Sequence, residues 1–307
     1  MAVSKPVLRV GTRGSKLALV QTSHVIAYLQ RLGLATAVVT IRTTGDRRHQ
    51  PLYGIGVKGV FIKEIEQALH DRSIDIAVHS AKDLPTELSP EFVIVAYLPR
   101  ATPWDVWIAP HDRLETIPPG ARVGTSSLRR MAMIRWKRPD VAPVPIRGNV
   151  DTRLRKLETG QYDAIVMAAA GLERLGWMAK IREVLRPPEF VPAAGQGAIA
   201  VEIRRDSPWW DDLRQMDDPA TRQAVETERA VIRRLRAGCH APVGVYATAH
   251  RTGTRWHIRA QARCWLPNGR RTWYAVAEGS SPETVAETLV THLQAQPEFQ
   301  RWYEGAE

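Results

Sequence analysis

The sequence predicts an α/β protein built from two similar domains around a cleft, followed by a smaller α+β domain. Three observations carry that expectation. The tetrapeptide RVGT occurs twice, at Arg9 to Thr12 and Arg122 to Thr125, each time closing an apolar run and leading into a segment that opens with Ser, Lys and Arg. Apolar runs and amphipathic segments alternate in a βαβ rhythm, and that rhythm restarts after "PRATPWD". Beyond Pro219 the style changes to one helix and then runs that alternate like antiparallel strands.

In order, "VLRVG" reads as a short buried strand, and Ser15 to Leu32 as a helix with Ala18, Thr22, Val25, Leu29 and Leu32 on one face. "TAVVTI" is the next strand, and "VFIKEIEQALHDR" is a helix with Phe61, Ile65, Ala68 and Leu69 at helical spacing. "IDIAVHS" and "EFVIVAYL" follow as strands with "AKDLP" between them. In the second domain "ARVG", "APVPIRG" and "YDAIVMA" read as strands. "SSLRRMAMIRWKR" and "VDTRLRKLETG" read as helices, the second stopped by Gly160.

"DIAVHSAKDL" (Asp75 to Leu84) matches "DAIVMAAAGL" (Asp163 to Leu172) in character, but the intervals differ. The RVGT copies lie 113 positions apart and these segments 88. Two domains of like topology are therefore supported, and a tandem duplication is not established. The last third reads as a helix from Pro219 to Arg236, three strands ("VGVYATAH", "RWHIRAQARCWL", "RTWYAVAEG") with "PNGR" as a hairpin turn, and a closing helix "PETVAETLVTHLQAQ".

Bulk properties narrow the function. A chain of 307 residues fits two or three domains, and 44% hydrophobic with 24% charged residues is the make-up of a soluble globular protein. No apolar run approaches a membrane span and "MAVSKPVLRVGT" lacks the apolar core of a secretory signal, so a cytoplasmic location is expected. Cys239 and Cys264 have neither a CxxC spacing nor a histidine cluster, which argues against a metal site and a disulfide framework. The formal charge of +11 and pI of about 10.0 call for an anionic partner. The basic residues sit at strand ends and helix starts, which suits a pocket for small polyanions at least as well as a nucleic-acid groove.

A strand that ends in Gly-Thr and runs into a helix presents unpaired backbone N–H groups and hydroxyls that attract anions. Arg13, Arg129 and Arg130 add forked donors for carboxylate or phosphate, and "IRGN" supplies Arg147 at a third strand end. One such loop alone is equally well a helix cap with solvated arginines. Two of them, with Arg147, read as two jaws of one anion site. Cys239 has two readings: a small buried hydrophobe, or a thiol whose thiolate is favoured by the arginines of "RRLRAG". Cys264, in mid-strand, reads as structural. Asp83 beside Lys82 reads, by itself, as a turn residue, and His79 as a packed side chain. "GVKGVFIK" lacks the Walker arrangement, so no nucleotide site is expected there.

Taken together, "RVGTRGSKLALVQT", "IDIAVHSAKDLP", "VGTSSLRR", "RGNVDTRLRKL", "AAAGLERLG", "PAAGQGAIAVE" and "AGCHAPVG" resemble, in that order, the signatures of the porphobilinogen deaminase (hydroxymethylbilane synthase) family. The resemblance spans nearly the whole chain and is weakest after Arg251. It implies two domains like those of type II periplasmic binding proteins, at 1–99 with 198–216 and at 103–193, and a third at 219–307. It implies a transferase that joins four porphobilinogen molecules head to tail, releases ammonia and yields 1-hydroxymethylbilane for tetrapyrrole and heme synthesis. A dipyrromethane cofactor, bound through a thioether to the cysteine matching Cys239, acts as primer.

On the same resemblance Asp83 is the catalytic carboxylate. Lys82, Thr125, Ser127, Arg129, Arg130 and Arg153 meet the cofactor, and Arg13, Ser15, Gln21, Arg147, Arg174 and Gln196 meet the substrate. A monomer without nucleic-acid or membrane partners is implied. The chain departs from the pattern at "AGCHAP", which lacks a second Gly before the cysteine, and at Asp151, where Gly is frequent. Porphobilinogen carries an acetate and a propionate, so a growing chain gathers carboxylates in one cleft, and an arginine lining accounts for the charge. Two rivals are a non-catalytic anion-binding protein of periplasmic type and a nucleic-acid-binding protein. The first needs no thiol and would be expected to carry an export signal, and the second gives no reason for Cys239 or Asp83.

Overall fold

In each of two five-stranded sheets, the RVGT strand lies second from one edge between two parallel neighbours. The computed structural model describes residues 7–43, 62–236 and 241–300. Phe61, most of "GVKGVFIK" and Cys239 lie outside them. The chain divides into two compact units, 1–100 with 198–222 and 101–197 with 223–307.

The first unit holds β1 (Leu8–Arg13), β2 (Thr36–Ile41), β3 (Ile76–Ser80), β4 (Phe92–Tyr97) and, from later in the chain, β10 (Ile199–Arg204). Their order is β2-β1-β3-β10-β4, with β10 antiparallel to both neighbours. The second unit holds β5 (Asp105–Ile108), β6 (Arg122–Gly124), β7 (Ala142–Val144), β8 (Ala164–Ala168) and β9 (Glu183–Leu185). Their order is β7-β6-β8-β5-β9, with β5 antiparallel to both neighbours. The two sheets match strand for strand, so the expected pair of like, mainly parallel α/β domains is present.

The two RVGT strands are equivalent positions, and the same ion pair secures both. Arg9 donates its backbone N–H to Asp75 Oδ2 (2.8 Å) and its guanidinium to Asp75 Oδ1 (2.8 Å), while Asp75 N donates back to Arg9 O (2.9 Å). In the second sheet Arg122 N donates to Asp163 Oδ2 (2.6 Å) and Asp163 N to Arg122 O (2.9 Å). Arg9 and Asp75 are 66 residues apart, Arg122 and Asp163 only 41. That difference explains the unequal intervals in the sequence. Part of it is the helix after the strand, Lys16–Arg31 in one copy and Leu128–Lys137 in the other. The rest falls in the segment after β2.

Each helix starts where its sequence stops being strand. Ser15 caps Lys16–Arg31 by accepting Ala18 N, and Ser127 caps Leu128–Lys137 by accepting Arg130 N. Val25 and Leu29 of the first helix pack on Val10, Ile76 and Val201. The helix Lys63–His70 covers the opposite face through Ile65 and Leu69. Three strands escaped the sequence reading. β5 and β9 are four and three residues long, too short for a periodicity, and β10 lies inside the "GQGAIAVE" motif. The "APVPIRG" strand shrinks to Ala142–Val144, since Pro143 and Pro145 offer no N–H to a ladder.

The third sheet, β11 (Val243–Thr252), β12 (Arg255–Trp265) and β13 (Thr272–Gly279), is an antiparallel meander covered by the helix Pro282–Gln294 through Val285, Leu289 and Leu293. It shares the second unit, where the helix Leu128–Lys137 abuts its β12–β13 turn. Arg135 Nη1 donates to Pro267 O (2.8 Å), and the Arg263 guanidinium lies over the rings of Trp136 (4.9 Å) and Tyr274 (4.7 Å).

Gly269, in that turn, has φ +75°, and a Cβ there would lie 2.5 Å from Trp136 N. Gly253, in the other turn, has φ +60° and open space. Gly253→Ala should therefore lose only the strain of a left-handed residue, about 1–2 kcal/mol. Gly269→Ala should lose clearly more, because helix backbone must move as well. Side-by-side thermal unfolding checks this; equal losses would contradict the turn-to-helix contact.

Candidate functional site

In the first unit the site residues gather at the carboxyl ends of β1 and β3. Arg13 ends β1 and Ser15 caps the helix that follows. Gln21, buried on that helix, donates Nε2 to Ser80 Oγ (2.8 Å) and accepts from it at Oε1 (3.1 Å). β3 then gives way to a single 3-10 turn, Ala81–Asp83, tied down by Ala81 N to Ala198 O (3.0 Å) and by the buried Leu84. Lys82 is half-buried and Asp83 is exposed. The structure thus brings Gln21, Lys82 and Asp83 to one strand end.

In the second unit the chemistry converges on a residue the sequence reading missed, Asp105 at the start of β5. It is fully buried. Its Oδ2 accepts Arg129 Nη1 (2.7 Å), and its Oδ1 accepts Arg130 Nη2 (2.7 Å), Arg130 Nε (3.0 Å) and Gln196 Nε2 (3.0 Å). Burial alone would raise the Asp105 carboxyl, but the two guanidiniums hold it well below the usual carboxylate range. Burial in turn lowers Arg129 from its ordinary value, with Asp105 opposing. Arg130 also donates to Val166 O (3.2 Å) and Gln196 Oε1 (3.2 Å). Two arginines and one aspartate leave this cluster with a net positive charge. Arg129 Nε is buried and finds no acceptor among the described residues. Such a donor is costly unless an acceptor arrives, and an anionic ligand's carboxylate oxygen would satisfy it.

Two segments adjoin this triad, the Thr125–Ser127 turn and the stretch around Gln196. Thr125 and Ser127 form the strand-to-helix turn, with Thr125 Oγ1 accepting Ser127 N (3.2 Å). Each hydroxyl serves the turn as an acceptor and keeps its O–H to donate. Gln196 also donates to Pro103 O (2.7 Å). Arg174 donates Nη2 to Gly197 O (2.6 Å), and burial pulls its guanidinium down to about 10, so it stays charged at neutral pH. Glu228, fully buried on the helix Pro219–Arg234, accepts Gly195 N (2.6 Å) and Ala247 N (2.8 Å), tying the same segment to the third sheet.

Arg153 and Arg147 stand at the β7 exit, where Arg153 Nε donates to Gly148 O (2.8 Å) and Lys156 Nζ to Arg147 O (3.2 Å). Asp151 pairs along its own helix with Arg155 (3.9 Å). Cys264 is fully buried in the β12 core, and burial pushes its thiol up, as fits a structural role. Among the described residues no cluster of His, Cys, Asp or Glu could hold a metal, and no helix is long and apolar enough to cross a membrane.

The signal for Asp105 was present in "PWDVW". A carboxylate between tryptophans in a buried run must have a partner. Asp105→Asn keeps the shape but leaves two buried guanidiniums facing a neutral amide, and should destabilise the protein by about 3–5 kcal/mol at neutral pH. Because its folded pKa is depressed, Asp105 stabilises fully above the unfolded value of about 3.9, and that contribution drains away as pH falls below it. Denaturation between pH 6 and pH 2 should show a shallower acid loss in Asp105→Asn than in the parent. Coincident curves would refute the role.

Comparison with known proteins gives a consistent family. Residues 8–211 match the family model described as porphobilinogen deaminase, dipyromethane cofactor binding domain, and residues 222–296 the one described as porphobilinogen deaminase, C-terminal domain. A porphobilinogen deaminase of Roseiflexus sp. (strain RS-1) is 51% identical over 264 residues, covering 83% of this chain and 85% of that protein. A probable porphobilinogen deaminase of Methanopyrus kandleri is 41% identical over 291 residues, covering 92% of this chain and 95% of that protein. The enzyme of Nitratidesulfovibrio vulgaris is 47% identical over 253 residues, covering 80% of each chain.

Proposed function

The chain belongs to the porphobilinogen deaminase family, and we propose that its primer is carried by Cys239 and its acid–base work by Asp83. The activity is the family's: a transferase that condenses four porphobilinogen molecules head to tail on a dipyrromethane cofactor, releasing ammonia and giving 1-hydroxymethylbilane. The observation that supports the family's activity best is the buried Arg129–Asp105–Arg130 triad, whose Arg129 Nε finds no acceptor among the described residues. It is a positively charged donor set suited to carboxylates.

In this reading Lys82, Thr125, Ser127, Arg129, Arg130 and Arg153 hold the dipyrromethane carboxylates. Arg13, Ser15, Gln21, Arg147, Arg174 and Gln196 orient the acetate and propionate of porphobilinogen. The bound dipyrromethane supplies the free pyrrole carbon on which the product grows. Asp83, the only acid among these residues, opposes the positive charge that forms on porphobilinogen as ammonia leaves, and its carboxylate oxygens can hold a proton released at each condensation. The reading includes a three-domain division at 1–99 with 198–216, 103–193 and 219–307, and a cytoplasmic monomer. Basic charge directed at carboxylates removes the need for a nucleic-acid partner.

Intact-protein mass spectrometry tests the primer. The purified protein should exceed its sequence mass by one dipyrromethane, Cys239→Ser should lose both that mass and turnover, and Cys264→Ser should keep both. An unmodified yet active parent would overturn the reading.

Asp83→Asn keeps the shape and removes the charge. It should stay loaded yet lose on the order of 10²-fold or more in turnover. Exposed Glu87 is the fitting control, since Asp75 holds Arg9 in the fold. Near-normal turnover in loaded Asp83→Asn would remove Asp83 from the mechanism.

A further inference from the structure

β3 ends in two consecutive side chains that leave the sheet on opposite faces, and each is tied to a polar group of another element. Ser80 meets Gln21 on the face covered by Lys16–Arg31. His79 meets Glu202 of β10 on the other, with Nε2 to Oε2 at 2.9 Å and both side chains buried. The strand register, Ala200 opposite His79 and Glu202 opposite Ala77, places the pair diagonally on neighbouring strands. Past Ser80 come Ala81 N, held by Ala198 O (3.0 Å), and the Lys82–Asp83 turn.

Nothing in the reaction as assigned uses His79 or Glu202, and stability alone does not explain them. Glu202 is fully buried, and its Oε1 finds no partner among the described residues. Glu66, from the helix Lys63–His70, brings a second buried oxygen with no partner among the described residues. Burial, and then the Glu202 charge, push the Glu66 carboxyl up. Apolar side chains of similar volume would serve packing there as well or better.

We propose that His79 and Glu202 are positioning residues for Asp83. They lock the last peptides of β3 from one face while Gln21 locks them from the other, so that the Ala81–Asp83 turn leaves the strand in a single direction. This rests on the role assigned to Asp83. A small change in that direction matters because a misplacement of about 1 Å at a reacting group can cost about 100-fold in rate.

The test replaces both partners, His79→Leu with Glu202→Leu, so that no buried charge is stranded. A single Glu202→Gln variant, which keeps a hydrogen bond to Nε2, is the conservative control. Cofactor content is read by intact mass, kcat and KM by turnover of porphobilinogen, and local order by hydrogen exchange at the Ala81 and Leu84 amides. The double variant should fold, load and keep KM within about twofold, yet lose about 10- to 100-fold in kcat. Its Ala81 and Leu84 amides should exchange faster while the β1 amides do not change. Glu202→Gln should recover most of the kcat.

A loaded double variant with normal kcat, or a loss of kcat without faster exchange at Ala81 and Leu84, overturns the proposal. If the double variant fails to fold, Glu202→Gln decides on the same readouts. Normal kcat and exchange there then support positioning by the retained hydrogen bond. A large loss of kcat with unchanged exchange refutes it. Asp83→Asn, run in parallel, separates the two readings. If it is impaired while the double variant is normal, only the positioning role fails; if it is itself normal, the Asp83 assignment fails.

Discussion

Two guanidiniums cannot be buried side by side without an anion between them, and Asp105 is that anion. Its position at the head of β5 dictates much of the second unit. The helix Leu128–Lys137 must begin where Arg129 and Arg130 can reach one carboxylate, and Ser127 caps it there. The segment at Gln196 must pass close enough to share the same oxygen. Arg174 and Glu228 then fasten the residues on either side of Gln196 through Gly197 O and Gly195 N. A fixed set of donors with one surplus positive charge is preorganised for anions, since none has to be reoriented when a carboxylate approaches.

The two α/β sheets show how a fold is reused while its chemistry diverges. Strand order and direction agree throughout, and so do the Arg–Asp pairs that fasten β1 to β3 and β6 to β8. What differs is the turn after the third strand of each. In one it is a single 3-10 turn presenting Lys82 and Asp83; in the other it is a short helix, Ala169–Arg174, ending in a substrate-facing candidate, Arg174. Past the matching Asp75–Ser80 and Asp163–Ala168 segments, one copy carries a Lys–Asp pair and the other a lone arginine at the end of its helix.

Much of this was legible in the chain because its long elements carry strong periodicity and its anion loops carry unusual chemistry. The capping serines, the helix stripes and the repeated RVGT strands stand where the residues put them. β5, β9 and β10 did not show, because a strand of three or four residues has too few positions for an alternation to be read, and β10 pairs with strands more than a hundred residues earlier in the chain. Asp105 was hidden for a related reason: its partners Arg129, Arg130 and Gln196 are 24, 25 and 91 positions away, so no local pattern connects them. His79 looked like a packed side chain, and it is packed, but its hydrogen bond to a carboxylate 123 residues later is a tertiary fact.

The repeated Arg–Asp pair also bears on how the chain finds its shape. Parallel strands must be brought together over long loops, and a slip of one residue would turn every side chain to the wrong face. In β1 and β3 the interval is 66 residues. Only the correct register lets Arg9 offer one carboxylate both its backbone N–H and its side chain while Asp75 returns its own N–H. Shifted by one place, the charge attraction would survive, but the two backbone bonds would not. The pair acts as a proofreading mark written once on each sheet, rewarding the right alignment after the hydrophobic faces have already met.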